Sequence, residues 1–297
     1  MNLWMGDHDR LRAGWRALLG FLVAYLASWL AVEVAMMLPA GHPRLFEAVY
    51  RPAAMVLLLG GFSLLLLVAD GVEGSPLAAM GLDSGRKRWR QAVLGVILGA
   101  AMIGLAVPEL AVWAGLSFRV EANGHTGLLA AVELYILATG AMAEEVAFRG
   151  YPFQRLIEGV GPVLAVAIMS ALFAAVHLYN PGASIWGFIN TIGVGILLSL
   201  AYLRTRSLWL PWGIHFGWNA TLGLLLGLPV SGVMDFAVLV KGNAHGPRWL
   251  TGGAYGLEAS ALGSLAIALG CAAVVLVTRD RETSRSSQGS QTAGDGA

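Results

Sequence analysis

The sequence predicts an all-α fold, a polytopic transmembrane helical bundle of about eight spans. Three observations predict it. Of its 297 residues 57% are hydrophobic and 12% charged, with a mean hydropathy of +0.69, whereas soluble domains carry about 25% charged residues. The apolar residues form continuous runs of roughly 17–25, the length that crosses a ~30 Å hydrocarbon core at ~1.5 Å per residue. Basic residues alternate between the two ends of successive runs, as they do when Lys and Arg collect on cytoplasmic loops. Because the runs are continuous and not alternating apolar and polar, they read as helices and not barrel strands.

The spans fall at about 15–38, 52–69, 91–116, 130–157, 161–178, 184–203, 207–228 and 257–278. Arg10, Arg12 and Arg16 open the first run, which is too long for a signal-peptide core and lacks a small-residue cleavage site, so it reads as an uncleaved helix. Segment 71–90 mixes turn residues with Arg86, Lys87, Arg88 and Arg90, and suits a cytoplasmic surface element. Gly95 with Gly99, and Gly213 with Gly217, have the small-xxx-small spacing that lets helix backbones approach in lipid. Segment 229–256 is Gly-rich, and VMDFAVLV within it is too short to span, which leaves a re-entrant or packed loop. From Glu282 to Ala297 the chain is Ser, Gly, Gln and Thr, a disordered tail. The basic groups at the N-terminus, 86–90, 204–206 and 279–285 all fall on one side, which places both termini in the cytoplasm.

The net charge of +1, with basic residues scattered singly or beside apolar runs, excludes a nucleic-acid interface. The one cysteine, Cys271, excludes an intrachain disulfide and a Cys-based zinc cluster.

Charged groups inside a bilayer cost roughly 2.5–3.5 kcal/mol at a helix centre, so their presence marks function. The fourth span carries AEEVAFRG with Glu144, Glu145 and Arg149, the fifth ends in ALFAAVHL with His177, and the seventh carries WGIHFGWN with His215 and Asn219. Glu145 and Arg149, four apart, form a neutralising pair, which leaves Glu144 free to face another helix as a general base. His215 and Asn219, also four apart, share a face and can both donate hydrogen bonds to an oxyanion. Matching the depth of Glu144 to His177 requires the fourth helix to continue through Gly150 and Pro152 to about Glu158. Glu33, Glu109 and Glu133 read as cavity-lining, near-interface or structurally paired groups.

At these residues the sequence resembles the CPBP family, the intramembrane peptidases grouped as CaaX prenyl endopeptidases and bacteriocin-processing or bacteriocin-immunity (Abi-type) proteins. The motif E-E-x-x-x-R is Glu144, Glu145 and Arg149; F-x-x-x-H is Phe173 and His177; H-x-x-x-N is His215 and Asn219. The resemblance implies a transmembrane peptidase domain over 1–281 with its motif core at 130–228, a conical cavity open to the cytoplasm, and peptide hydrolysis by a water that Glu144 activates with His177. His215 and Asn219 would hold the oxyanion, and Glu145 with Arg149 would support the site. The sequence leaves open whether a divalent metal such as Zn takes part, with Glu144, His177 and His215 as the candidate ligands. The expected partners are membrane lipids and a membrane-associated peptide or lipidated protein. Abundant Ala, Gly and Arg with only two Lys point to a bacterial plasma membrane. Two other classes fit part of the pattern: a catalytically silent scaffold or immunity protein of the same fold, and a small-solute transporter lined by ionisable groups. Against the transporter, no repeat pairs broken helices in two halves.

Overall fold

The computed structural model describes residues 12–36, 59–61, 63–68, 70–71, 75–121 and 126–291. Helix α1 (Ala13–Met36) and the short α2 (Leu59–Val68) lead to α3 (Pro76–Met80), which Ser75 caps by accepting from the Ala78 amide at 3.4 Å. Helix α4 (Arg86–Gly104) continues through a turn into α5 (Val107–Trp113). The basic cluster opens α4, with Arg86, Lys87 and Arg90 exposed. The fourth predicted span is two helices, α6 (Thr126–Arg149) and α7 (Tyr151–Val160), interrupted at Gly150, whose ψ of −137° is not helical. The chain does run on to Val160 as expected, but through a break. Pro152, in the first turn of α7, has no amide to offer and needs no partner there.

Helix α8 (Pro162–Val176) ends in a 3-10 turn at His177–Tyr179. Helix α9 (Ile185–Thr205) is capped by Ser184, which accepts from the Gly187 amide at 3.1 Å. Helix α10 (Trp209–Ala220) has only 12 residues, and a five-residue π turn (Thr221–Leu225) finishes it. The segment that follows wraps over one end of the bundle as a strap, containing α11 (Arg248–Thr251) and two 3-10 turns. Helix α12 (Ala261–Gln291) closes the fold. A two-stranded antiparallel sheet joins β1 (Ser117–Val120) to β2 (Val240–Asn243), an addition to the all-α expectation.

Five segments among the described residues are long and apolar enough to cross a membrane: 86–113, 126–160, 162–179, 185–205 and 261–279. This is fewer than the predicted eight. The first half of the second expected span lies outside the described residues, and α10 is too short to count by itself.

Two apolar cores flank α9. One packs α4, α9, α10 and α12 around Ile103, Leu198 and Ile214; the other packs α6, α7, α8 and α9 around Phe153, Met169 and Phe173. The glycines of α4 and α10 face each other as their spacing predicts. A Cβ on Gly99 would lie 2.2 Å from the Ile214 carbonyl oxygen, and one on Gly213 would lie 2.3 Å from that of Ala92. Only hydrogen side chains permit this contact of backbone with backbone. At one end of the bundle Asp70 accepts from Arg16 (2.9 Å), Tyr151 (2.9 Å) and Arg155 (3.3 Å), fastening α1 and α7 together.

Candidate active site

Glu144 and Glu145 are neighbours on α6, so their side chains leave the helix about 100° apart and meet different surroundings. Glu145 is fully buried, and its Oε1 accepts from Arg149 Nη1 at 3.2 Å. The same oxygen lies 2.9 Å from His215 Nδ1 on α10. Arg149 also donates to the Gly195 carbonyl of α9 at 3.3 Å, and its guanidinium sits 4.6 Å from the centre of the Phe173 ring. The expected neutralising pair is thus the middle of a chain, Arg149 to Glu145 to His215, linking α6, α9 and α10.

Glu144 points the other way, into a cavity of roughly 210 Å³. Its Oε2 lies 3.9 Å from His177 Nε2 and 3.8 Å from His215 Nε2. Helix α8 delivers His177 at its very end, where the 3-10 turn begins. His177 Nδ1 is 2.7 Å from the Phe173 carbonyl. A carbonyl can only accept, so this nitrogen carries the proton and Nε2 presents its lone pair to the cavity. For His215, the Glu145 carboxylate imposes the same tautomer. Both rings therefore aim an Nε2 at one carboxylate oxygen across gaps too wide for a hydrogen bond. Glu144 Oε2 is out of contact with solvent and has no hydrogen-bond partner. Asn219, one turn beyond His215, lines the same cavity.

The six sequence-predicted residues thus gather from α6, α8 and α10, four of them on the cavity and Glu145 with Arg149 behind it. Direct hydrogen bonds from Glu144 to a histidine do not form; the separations suit one bridging water. As a metal centre the set fits poorly. Zinc bonds of ~2.0–2.1 Å place tetrahedral ligand atoms about 3.3 Å apart, closer than these gaps. Among the described residues no three His, Cys, Asp or Glu side chains form a group that could hold a metal ion.

Sequence reasoning missed Glu258. It lies in the 3-10 turn before α12 and lines the cavity. Its Oε1 accepts from Trp218 Nε1 at 3.0 Å, and its Oε2 accepts from the Ser231 amide. Asn190, also on the cavity, donates to the Glu258 and Ser260 carbonyls at 2.8 and 2.9 Å. The signal for Glu258 was a lone carboxylate in the otherwise apolar and Gly-rich TGGAYGLE, but its partners Trp218 and Ser231 are distant in the chain.

Most of the cavity wall is apolar, with Leu137, Phe173, Val194, Ile214 and Trp218 among the side chains that reach it. The site thus combines an unpaired carboxylate, two oriented imidazoles and a carboxamide in a poorly hydrated pocket, which is the equipment of acid–base hydrolysis. No curated protein and no solved structure matches the chain. Residues 126–221, from the first residue of α6 to the first of the π turn, match the family model for the type II CAAX prenyl endopeptidase Rce1-like proteins. With the apolar spans, this marks the chain as an integral membrane protein that is similar, over residues 126–221, to the Rce1-like CAAX proteases.

Proposed function

We propose that the protein is an intramembrane endopeptidase that hydrolyses a peptide bond in a membrane-associated or lipidated peptide, with Glu144 as general base. The observation that carries this reading is the position of Glu144 Oε2, 3.9 and 3.8 Å from two imidazole Nε2 atoms. A water between them would donate to Glu144 and to His177, which fixes its oxygen lone pair toward the substrate. As that oxygen bonds to the scissile carbonyl carbon, its proton passes to Glu144 and the carbonyl becomes an oxyanion. Asn219 donates to the oxyanion from its carboxamide. His215 would donate from Nε2 as an imidazolium, because its Nδ1 proton is committed to Glu145 at 2.9 Å. When the tetrahedral carbon collapses, the C–N bond breaks and Glu144 returns its proton to the departing amine. Arg149 holds Glu145 in place from 3.2 Å.

The test is comparative peptidomics of membranes carrying the wild-type protein or single variants. Glu144→Ala, His177→Ala and His215→Ala should each abolish a set of cleavage products while the protein stays in the membrane. Asn219→Ala should slow cleavage by about 10²–10³-fold, the usual cost of one oxyanion donor. Identical peptide profiles for wild type and Glu144→Ala would instead favour the silent scaffold.

A further inference from the structure

The fold sets two sequence expectations against each other: a cavity that opens to the cytoplasm, and basic loops that lie in the cytoplasm. The basic loops meet at one end. Leu208 donates to the Gly81 carbonyl at 3.0 Å and Trp209 Nε1 to that of Asp83 at 2.9 Å, which brings the start of α4, with Arg86 to Arg90, beside Arg204 and Arg206. Arg204 Nε bonds Thr278 at 3.0 Å, adding the end of α12 and Arg279 to the same end. Gln154 Nε2 bonds the Tyr202 hydroxyl at 2.8 Å, which adds α7, and with it Arg16 of α1.

The cavity points away from that end. Beneath the catalytic residues Glu145, Arg149, Ser170 and Ser199 are all 0% exposed, so the path toward the basic loops is sealed. Ser170 packs on Gly195, which puts His177, seven residues further along α8, level with the first turn of α9, at the opposite end. Five partly exposed lining residues stand there: Asn180 after α8, Asn219 late in α10, and Ser231, Val233 and Phe236 of the strap. The strap is fastened at that mouth, with Gly232 donating to the Tyr255 carbonyl at 2.9 Å and the Ser231 amide held by Glu258. Among the described residues the basic side chains at the mouth end are Arg119, Lys241 and Arg248, and the first two lie 2.7 and 3.7 Å from Glu121.

We infer that the site opens to the extracytoplasmic face, between the strap and the 180–184 turn, and acts on a peptide segment presented from that side. Lys and Arg near span ends set orientation, so the end that carries the clusters is cytoplasmic and the mouth is not. On the peptidase reading, which this inference extends, the substrate is an apolar, membrane-anchored segment already translocated across the membrane. A lipid-modified tail that remains in the cytoplasm would meet only the sealed end.

Cysteine accessibility tests the side of opening without measuring cleavage, so its outcome is independent of whether the protein is a peptidase. In a Cys271→Ala background made in a bacterial plasma membrane, Val233→Cys and Asn180→Cys mark the mouth and Ser84→Cys marks the turn before α4. A membrane-impermeant maleimide added to spheroplasts should label both mouth cysteines to the same extent before and after permeabilisation, and Ser84→Cys only afterwards. Labelling of Ser84→Cys before permeabilisation, with the mouth cysteines labelled only afterwards, would overturn the inference. So would failure of both mouth cysteines to label at all in protein that labels fully once denatured.

Discussion

Two adjacent glutamates on α6 have opposite roles because a turn of about 100° gives one of them a buried arginine and the other a cavity. Replacing Glu145 with Gln takes away the carboxylate charge that pairs with the buried Arg149, leaving neutral partners such as the Gly195 carbonyl and the Phe148 and Phe173 rings. Breaking a buried pair in this way costs about 3–5 kcal/mol. Glu145→Gln should therefore lower membrane abundance and thermal stability in detergent, while Glu144→Gln should leave both near wild type. Equal melting temperatures for the two variants would count against the pairing. The i,i+4 relation of Glu145 to Arg149 is legible in sequence because it is local. The bond from Glu145 to His215 is not, because α8 and α9 lie between them in the chain and only the packing of α10 against α6 makes it.

At the scale of the helix, the contact between α4 and α10 sets where His215 and Asn219 stand. A methyl group on Gly99 must displace the Ile214 carbonyl, one residue before His215. Gly99→Ala should thus cost about 1–3 kcal/mol, the usual penalty of overpacking, and should reduce any Glu144-dependent cleavage. Gly104→Ala, on the same helix with nothing within 4 Å of the added carbon, should be silent in both respects. The glycine spacing was readable, and so was the order of the motif-bearing helices. The interruption at Gly150 was not, because the apolar run continues across it and hydropathy does not register a single backbone torsion. Nor was the sheet: SFRV and VKGN are four residues each and about 120 residues apart, so pairing them depends on the strap having already folded back.

For the molecule as a whole, the strap explains why one of the eight spans read from hydropathy, 207–228, has no matching spanning helix among the described residues. The apolar run 207–228 contains enough residues to span, but α10 starts late, ends at Ala220 and passes through the π turn into a non-helical segment. Glu258, Ser231 and Asn190 become one structure only through that segment, and for that reason the sequence around each of them did not reveal the other two. The shortness of α10 also bears on the surrounding lipid. Its helical and π residues together rise roughly 25 Å, less than the ~30 Å hydrocarbon core. Seven of its residues are buried, and between Trp209 and Leu225 only Leu225 is exposed, so neighbouring helices and the strap, and not lipid, cover what α10 leaves unspanned. Its length therefore sets no mismatch with the bilayer. Reconstituted into phosphatidylcholines of graded acyl length, the protein should show no steady trend of melting temperature with chain length, whereas a steady loss of stability as the chains lengthen would show that α10 meets lipid directly.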